Sequence, residues 1–205
     1  MNQDEFTHSY WTYYLTLESD FISTLRYVEL DEKNYSTFSV EYVKQYQAIC
    51  SELDVLSKNL CSLLEPTGNF TTMPDYTEII LGSFPEIPNK QVKAKWKEVL
   101  SPWSDWKGNP EYQSPSWWSN YNKVKHNRSN KDTEGNFYFE EANLGNVLNA
   151  LAGLFVLEMY SYKKISEEQN ERFTIPLPKS QLFELIGWEP HLAAFGGNNV
   201  IFEVE

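Results

Sequence analysis

Apolar positions recur at spacings of three and four along residues 9–30, where Tyr14, Leu17, Phe21, Leu25 and Val28 form one stripe and predict a helix. Glu18, Ile22 and Arg26 fall on a neighbouring stripe, so a carboxylate and a guanidinium are expected on one rim as a surface ion pair. A polar segment interrupts the pattern before Ser36, Thr37 and Ser39, each a candidate N-cap. From there to Glu65 the spacing is unbroken. Tyr42, Tyr46, Ile49, Leu53, Leu56, Leu60 and Leu63 alternate steps of four and three, the seam of a helical hairpin or bundle. Asp54 and Lys58 form an i,i+4 pair on its flank, and Pro66 and Gly68 stop it.

Residues 67–114 hold most of the turn chemistry and read as a long excursion from a helical core. Within it, TEIILGSF and KQVKAKWKEVL fit either short strands or one brief helix. Pro115 then suits the first turn of a helix covering SPSWWSNYNKVKHN. After a polar connector, residues 139–164 are expected to form a final long helix, with Glu140 and Glu141 in its first turn. That helix is apolar almost all round between Val147 and Met159, which places it at the centre of the core. Asn143, Asn146 and Gly153 mark a small or polar stripe where another helix packs closely, or where a dimer or ligand cleft forms. The FGGNN turn before VIFEVE suggests a short β appendage within residues 165–205. The expected fold is therefore mainly α, a single domain over 1–205. Its antiparallel helical bundle spans about 9–66 and 115–164, with a loop or small β excursion at 67–114 and a C-terminal β appendage.

Composition narrows the function. The 205 residues are 41% hydrophobic and 22% charged, which is globular rather than disordered, and aromatics reach 16%. A net charge of −12 disfavours a protein that coats nucleic acid or an anionic membrane. The charge is uneven, however. Residues 90–131 carry nine basic and three acidic side chains and five of the seven Trp, so one local phosphate site remains open. The N-terminus has neither the basic nor the apolar region of a signal peptide, and the uncharged stretch 142–157 is interrupted by three Asn, so no membrane span is expected. Cys50 and Cys61 on one helix would stand about 16 Å apart, too far for a disulfide, and read as buried thiols of a cytoplasmic protein.

Phosphate loops, dinucleotide-binding glycines, nucleophile elbows and zinc spacings are absent, and His8, His126 and His191 are isolated from one another. No metal and no cofactor is expected. The remaining candidate is residues 117–131. On a helix, Trp118, Asn122 and His126 stack at i, i+4, i+8, while Tyr121, Lys125 and Arg128 share an adjoining face. Donors, cations and an imidazole within this short stretch suit a phosphate-bearing ligand such as RNA, whose own 2′-hydroxyl can act as nucleophile. The same residues also fit a plain surface helix with snorkelling Lys and Arg. The Trp cluster (Trp96, Trp103, Trp106, Trp117, Trp118) suits base stacking or a satellite core, and Glu52 suits a solvated flank or a cleft.

The stretches TFSVEYVKQYQAICSELDVLSKNLC, WWSNYNKVKHNR and ANLGNVLNALAGLFVL resemble HEPN-like helical proteins of bacteria over about 120 of the 205 residues. The resemblance implies an antiparallel bundle, frequently a homodimer, of a class found in toxin–antitoxin and phage-defence systems. It also implies metal-independent endoribonuclease activity. The family signature is an Arg, a polar residue, three further residues and a His. Asn122 and His126 match the last two elements, and Tyr121 stands where the Arg belongs. By this resemblance His126 is the general acid or base, Asn122 orients the phosphate, and Arg128, Lys123 or Lys125 supplies charge, with Tyr121 and Trp118 beside the substrate. Loss of the Arg points to the alternative, a non-catalytic module that binds RNA, a nucleotide or a protein. An accessory protein acting on a partner through its aromatic surface is a third reading.

Overall fold

The computed structural model describes residues 1–95, 98–171 and 175–188. The protein is mainly helical with a small three-stranded antiparallel sheet. The chain begins with α1 (Gln3–Phe6), a π-helical turn (Thr7–Trp11) and α2 (Thr12–Thr24). The π turn has a local cause. Phe6 and Trp11 are both fully buried yet stand five residues apart, and only the wider turn brings two such positions to one side.

The long seam helix is α3 (Val40–Leu64). Ser39 is the cap that operates, its hydroxyl accepting from the Tyr42 amide at 3.1 Å. Tyr42, Tyr46, Ile49, Leu53, Leu56 and Leu60 are all buried, and Leu63 is half-buried. The fragment TEIILGS, open to two readings from sequence, belongs to α4 (Met73–Ser83). Asp75 caps it, taking the Thr72 amide at 2.9 Å and hydroxyl at 2.8 Å.

Residues 92–100 then supply β1 (Val92–Ala94) and β2 (Val99–Leu100), and α5 follows at Ser116–Asn127. The last helix, α6 (Leu144–Glu168), starts later than its apolar pattern implies. Residues Tyr138–Glu141 form a separate 3-10 turn, and Asn143, not the Glu pair, caps the helix by accepting from the Asn146 amide at 3.0 Å. By length and composition α6 is apolar enough to cross a membrane, but 89% of its most apolar window is buried inside the protein. β3 (Phe183–Leu185) closes the sheet in the order β2-β1-β3, with Val92 opposite both Leu100 and Leu185. The excursion and the C-terminal appendage, read as separate features, are thus one sheet. The FGGNN and VIFEVE segments lie outside the described residues.

α6 is the axis of the core. Leu144, Val147, Leu148, Leu151, Leu154 and Leu157 are fully buried, and α3 is its main partner. Three other indoles close one side. Trp103 lies 4.4 Å from Trp106 and 5.1 Å from Trp117, ring centre to ring centre. Each N–H is satisfied: Trp103 donates to the Gly153 carbonyl (3.2 Å), Trp106 to Thr77 Oγ1 (2.7 Å) and Trp117 to the Pro102 carbonyl (2.6 Å). These rings are a satellite core rather than a stacking platform. Trp96 lies outside the described residues.

Glu18 corrects the expected ion pair with Arg26. It is buried, and its carboxylate accepts from Tyr14 OH (2.8 Å), from Ser180 Oγ, and from the amides of Gln181 (2.8 Å) and Leu182 (3.2 Å). One carboxylate thereby ties α2 to the loop that leads into β3. Cys50 and Cys61 are buried free thiols.

Gly153 is where α6 allows the indoles to approach. A Cβ there would sit 3.0 Å from Trp117 Cζ2 and 3.4 Å from two atoms of Trp103. The rings are wedged against each other and have little room to yield. Gly153→Ala should therefore cost about 1–3 kcal/mol by overpacking. Urea denaturation followed by circular dichroism measures this, and an unchanged midpoint would show that the rings can move aside.

Candidate functional site

α5 is positioned by what it buries. Trp117, Trp118, Tyr121 and Val124 face the core, and Tyr46 of α3 donates its hydroxyl proton to the Trp117 carbonyl while its ring lies 5.7 Å from that of Tyr121. Burial pushes the Tyr121 phenol up to about 12, with the Cys50 and Asp54 charges adding to the shift. Tyr121 is therefore a neutral core residue. It cannot take over the phosphate-binding role of an Arg, and Trp118, 8% exposed, offers little face to a base.

The polar candidates lie mostly toward the C-terminal end of the helix, beyond its buried residues. Asn122 is half-buried and His126 is exposed, with no hydrogen bond or ion pair to any described residue. Lys125 is exposed and holds its ammonium 5.5 Å over the Tyr121 ring. Arg128, the exposed C-cap, keeps its side chain free of described partners, while its carbonyl accepts from the Phe139 amide at 3.2 Å. Lys123 is already engaged. It donates to Asn120 Oδ1 at 2.9 Å, meets Glu141 Oε1 at 3.4 Å and lies 5.7 Å from the Tyr138 ring centre.

A short hairpin extends this face. Lys131 and Phe137 form its bridge, and the Lys131 ammonium lies 4.4 Å over the Phe137 ring. Asp132 shapes the turn by accepting from the Glu134 and Asn136 amides, both at 2.9 Å, and those backbone donors hold its carboxyl below the usual range. Gly135 takes a positive φ of 94° there, a conformation that suits glycine. The structure thus leaves Lys125, His126 and Arg128 exposed at the end of α5 with half-buried Asn122 one turn back, adds Lys131 on the hairpin, and withdraws Tyr121, Trp118 and Lys123. Lys125 and His126 also stand in the last turn, where cations favourably meet the negative end of the helix dipole by ~0.3–1 kcal/mol.

A second cluster was hidden in the apolar pattern. Glu158, on the fully buried stretch of α6, has no hydrogen-bond partner for either carboxylate oxygen among the described residues. Ser161 Oγ, one turn on, is likewise without one. On α3, Gln45, Glu52 and Asn59 recur at seven-residue spacing, and Gln45 Oε1 and Asn59 Oδ1 have no hydrogen-bond partner among the described residues. Burial pushes the Glu158 carboxyl well above its usual range, and the Glu52 charge pushes it further. Half-buried Glu52 is itself raised by burial. Tyr10, in the π turn, senses both carboxylates. The one signal in the sequence was a lone carboxylate inside an otherwise apolar run. No group of three or more His, Cys, Asp or Glu that could hold a metal is found among the described residues.

Comparison with family models, with curated proteins and with solved structures finds no match for this chain.

The Glu158 environment sets the sign of a pH effect. A carboxyl whose folded pKa lies above its unfolded value contributes stability below about pH 4.5, and that contribution is lost as pH rises toward the folded value. Glu158→Gln removes this loss. The variant's advantage over the natural protein should grow between pH 5 and pH 8 by ~1 kcal/mol or more, the limiting slope being ~1.4 kcal/mol per unit. Urea melts at the two pH values measure it. A gap that does not change with pH would mean that Glu158 is ionised and solvated.

Proposed function

We propose that the protein is a HEPN-like helical module that binds RNA or a nucleotide through the exposed end of α5, and that it binds without cleaving. The observation that carries this reading is the division of α5 between its buried body and its exposed C-terminal end. Lys125, His126 and Arg128 are exposed and free of described partners, whereas position 121, the place for the family's cationic residue, is a neutral phenol in the core. Binding a phosphate needs only the first group. In-line attack by a 2′-hydroxyl also needs a second acid or base, and no group of that kind hydrogen-bonds or ion-pairs with His126 among the described residues.

The site has a backbone disadvantage. It lies at the C-terminal, negative end of α5, so no amide cradle assists an anion and the attraction comes from side chains alone. Affinity should then be modest and strongly dependent on salt. A homodimer that brings two α5 ends together would double the local charge, and it is the arrangement in which two such half-sites make a useful RNA surface. The setting implied by the resemblance, toxin–antitoxin or phage defence, belongs to the same proposal.

Fluorescence anisotropy with a labelled single-stranded RNA tests the reading. With about three phosphates neutralised, binding should weaken roughly ten- to twenty-fold between 50 and 200 mM salt. Replacing Lys125, Arg128 and Lys131 together with Ala should abolish most of it without changing the melting temperature. The labelled RNA should remain intact on a denaturing gel. Cleavage by the natural protein that disappears in His126→Ala would overturn the binding-only reading and restore the nuclease.

A further inference from the structure

A second site stands apart from α5. Between the sheet and α6 lies a cleft of about 470 Å³, within the ~300–1,000 Å³ usual for small-molecule sites. Trp11, Phe155 and Met159 form its apolar floor, and Phe183 of β3 forms part of one wall. Three amines stand on the rim: Lys93 and Lys95 at β1, and Lys179 in the loop before β3. All three are exposed, and none makes an ion pair with a described residue. Glu184, opposite Lys93 in the sheet, is the carboxylate of the lining, and the rim remains net positive.

The wall is built before any ligand arrives. Glu18 holds the loop through Ser180 Oγ and the Gln181 and Leu182 amides. Trp11 Nε1 donates to the Pro178 carbonyl at 2.8 Å, and the Lys95 amide donates to the Leu182 carbonyl at 2.9 Å. Helix, loop and strand are therefore locked around the cleft, so a ligand would have little ordering cost to meet. The charge is also of a definite kind. Lysines act as point charges on flexible stems, with neither the Arg fork nor the amide cradle that selects a phosphate. Three lysines without an ion-pair partner among the described residues, sharing a lining with an indole, a phenyl ring and a thioether, describe a receptor for one negative charge attached to an apolar body.

We propose that this cleft binds an amphipathic carboxylate, with an aliphatic chain or ring against Trp11, Phe155 and Met159 and its head among Lys93, Lys95 and Lys179. The full chain, titrated with dodecanoate below its micelle concentration, should show saturable one-to-one heat by calorimetry and a parallel change in Trp fluorescence. Dodecanol, with the same chain and no charge, should bind at least ~10-fold more weakly, and so should dodecanoate to a Lys93→Gln, Lys95→Gln, Lys179→Gln variant of unchanged melting temperature. Acetate, with the charge and no chain, should not displace dodecanoate. No saturable heat, equal binding of the acid and the alcohol, or indifference to the three substitutions would overturn the proposal. Phosphatidylglycerol vesicles distinguish the source: a protein that binds those vesicles but not monomeric dodecanoate has a membrane contact here and no carboxylate site.

Discussion

Nearly all of the architecture follows from having to cover α6 on every side. A helix with apolar residues around its circumference has no face to give to water, and each buried aliphatic side chain gains about 1.5–3 kcal/mol by leaving it. α3 covers one side with its tyrosine and leucine seam. The N-terminal helices cover another with Phe6, Trp11, Tyr14 and Phe21, and two indoles of the excursion with one from α5 cover a third. The excursion is thus part of the core. Without Trp103, Trp106 and Trp117 the Gly153 side of α6 would be wet. The sheet, too small to be stable alone, stays together because Val92, Ala94 and Leu185 face the same core.

Two carboxylates inside this core show opposite solutions to one electrostatic problem. Glu18 is buried beside four donors from two stretches of chain, so its desolvation is offset and it becomes a clamp. Glu158 is buried with no donor among the described residues, and its neighbour across the interface is another carboxylate, so the neutral acid is the form the site favours. A core under selection for stability alone would carry a methionine or leucine there. Within the row Gln45, Glu52 and Asn59 on α3, it is the Glu52 charge that reaches Glu158 across the interface.

What was legible from sequence was whatever is encoded locally. The α3 seam, the helix after Pro115 and the buried character of α6 all follow from periodicity, because the neighbours that decide them lie three or four residues away. The five-residue step from Phe6 to Trp11 falls outside that periodicity, so the π turn was missed. Glu18 was misplaced on the surface because three of its four partners lie more than 160 residues along the chain. Pairing of Val92 with Leu185 has no local signature for the same reason. At the candidate site, spacing identified two faces of α5, but the core takes the N-terminal member of each, Trp118 and Tyr121, and leaves Lys125, His126 and Arg128 exposed at the helix end.

The charge distribution gains a different meaning once the fold is known. The basic island at residues 90–131 is contiguous in sequence but divides in space between two elements with different surroundings. Lys93 and Lys95 sit on the sheet over an apolar cleft, where Lys179 joins them from outside the island. Lys125, Arg128 and Lys131 sit exposed at the end of α5 and on its hairpin. A charge above an apolar pocket discriminates by the body of the ligand, whereas charges on an open helix end discriminate by how many phosphates meet them at once. The acidic remainder of the molecule repels polyanions everywhere else and so confines them to the α5 end. It does much less against a single carboxylate, because repulsion grows with the charge on the approaching ligand. Salt dependence therefore separates the two surfaces physically: it should be steep for a polyanion at α5 and shallow for a monoanion in the cleft.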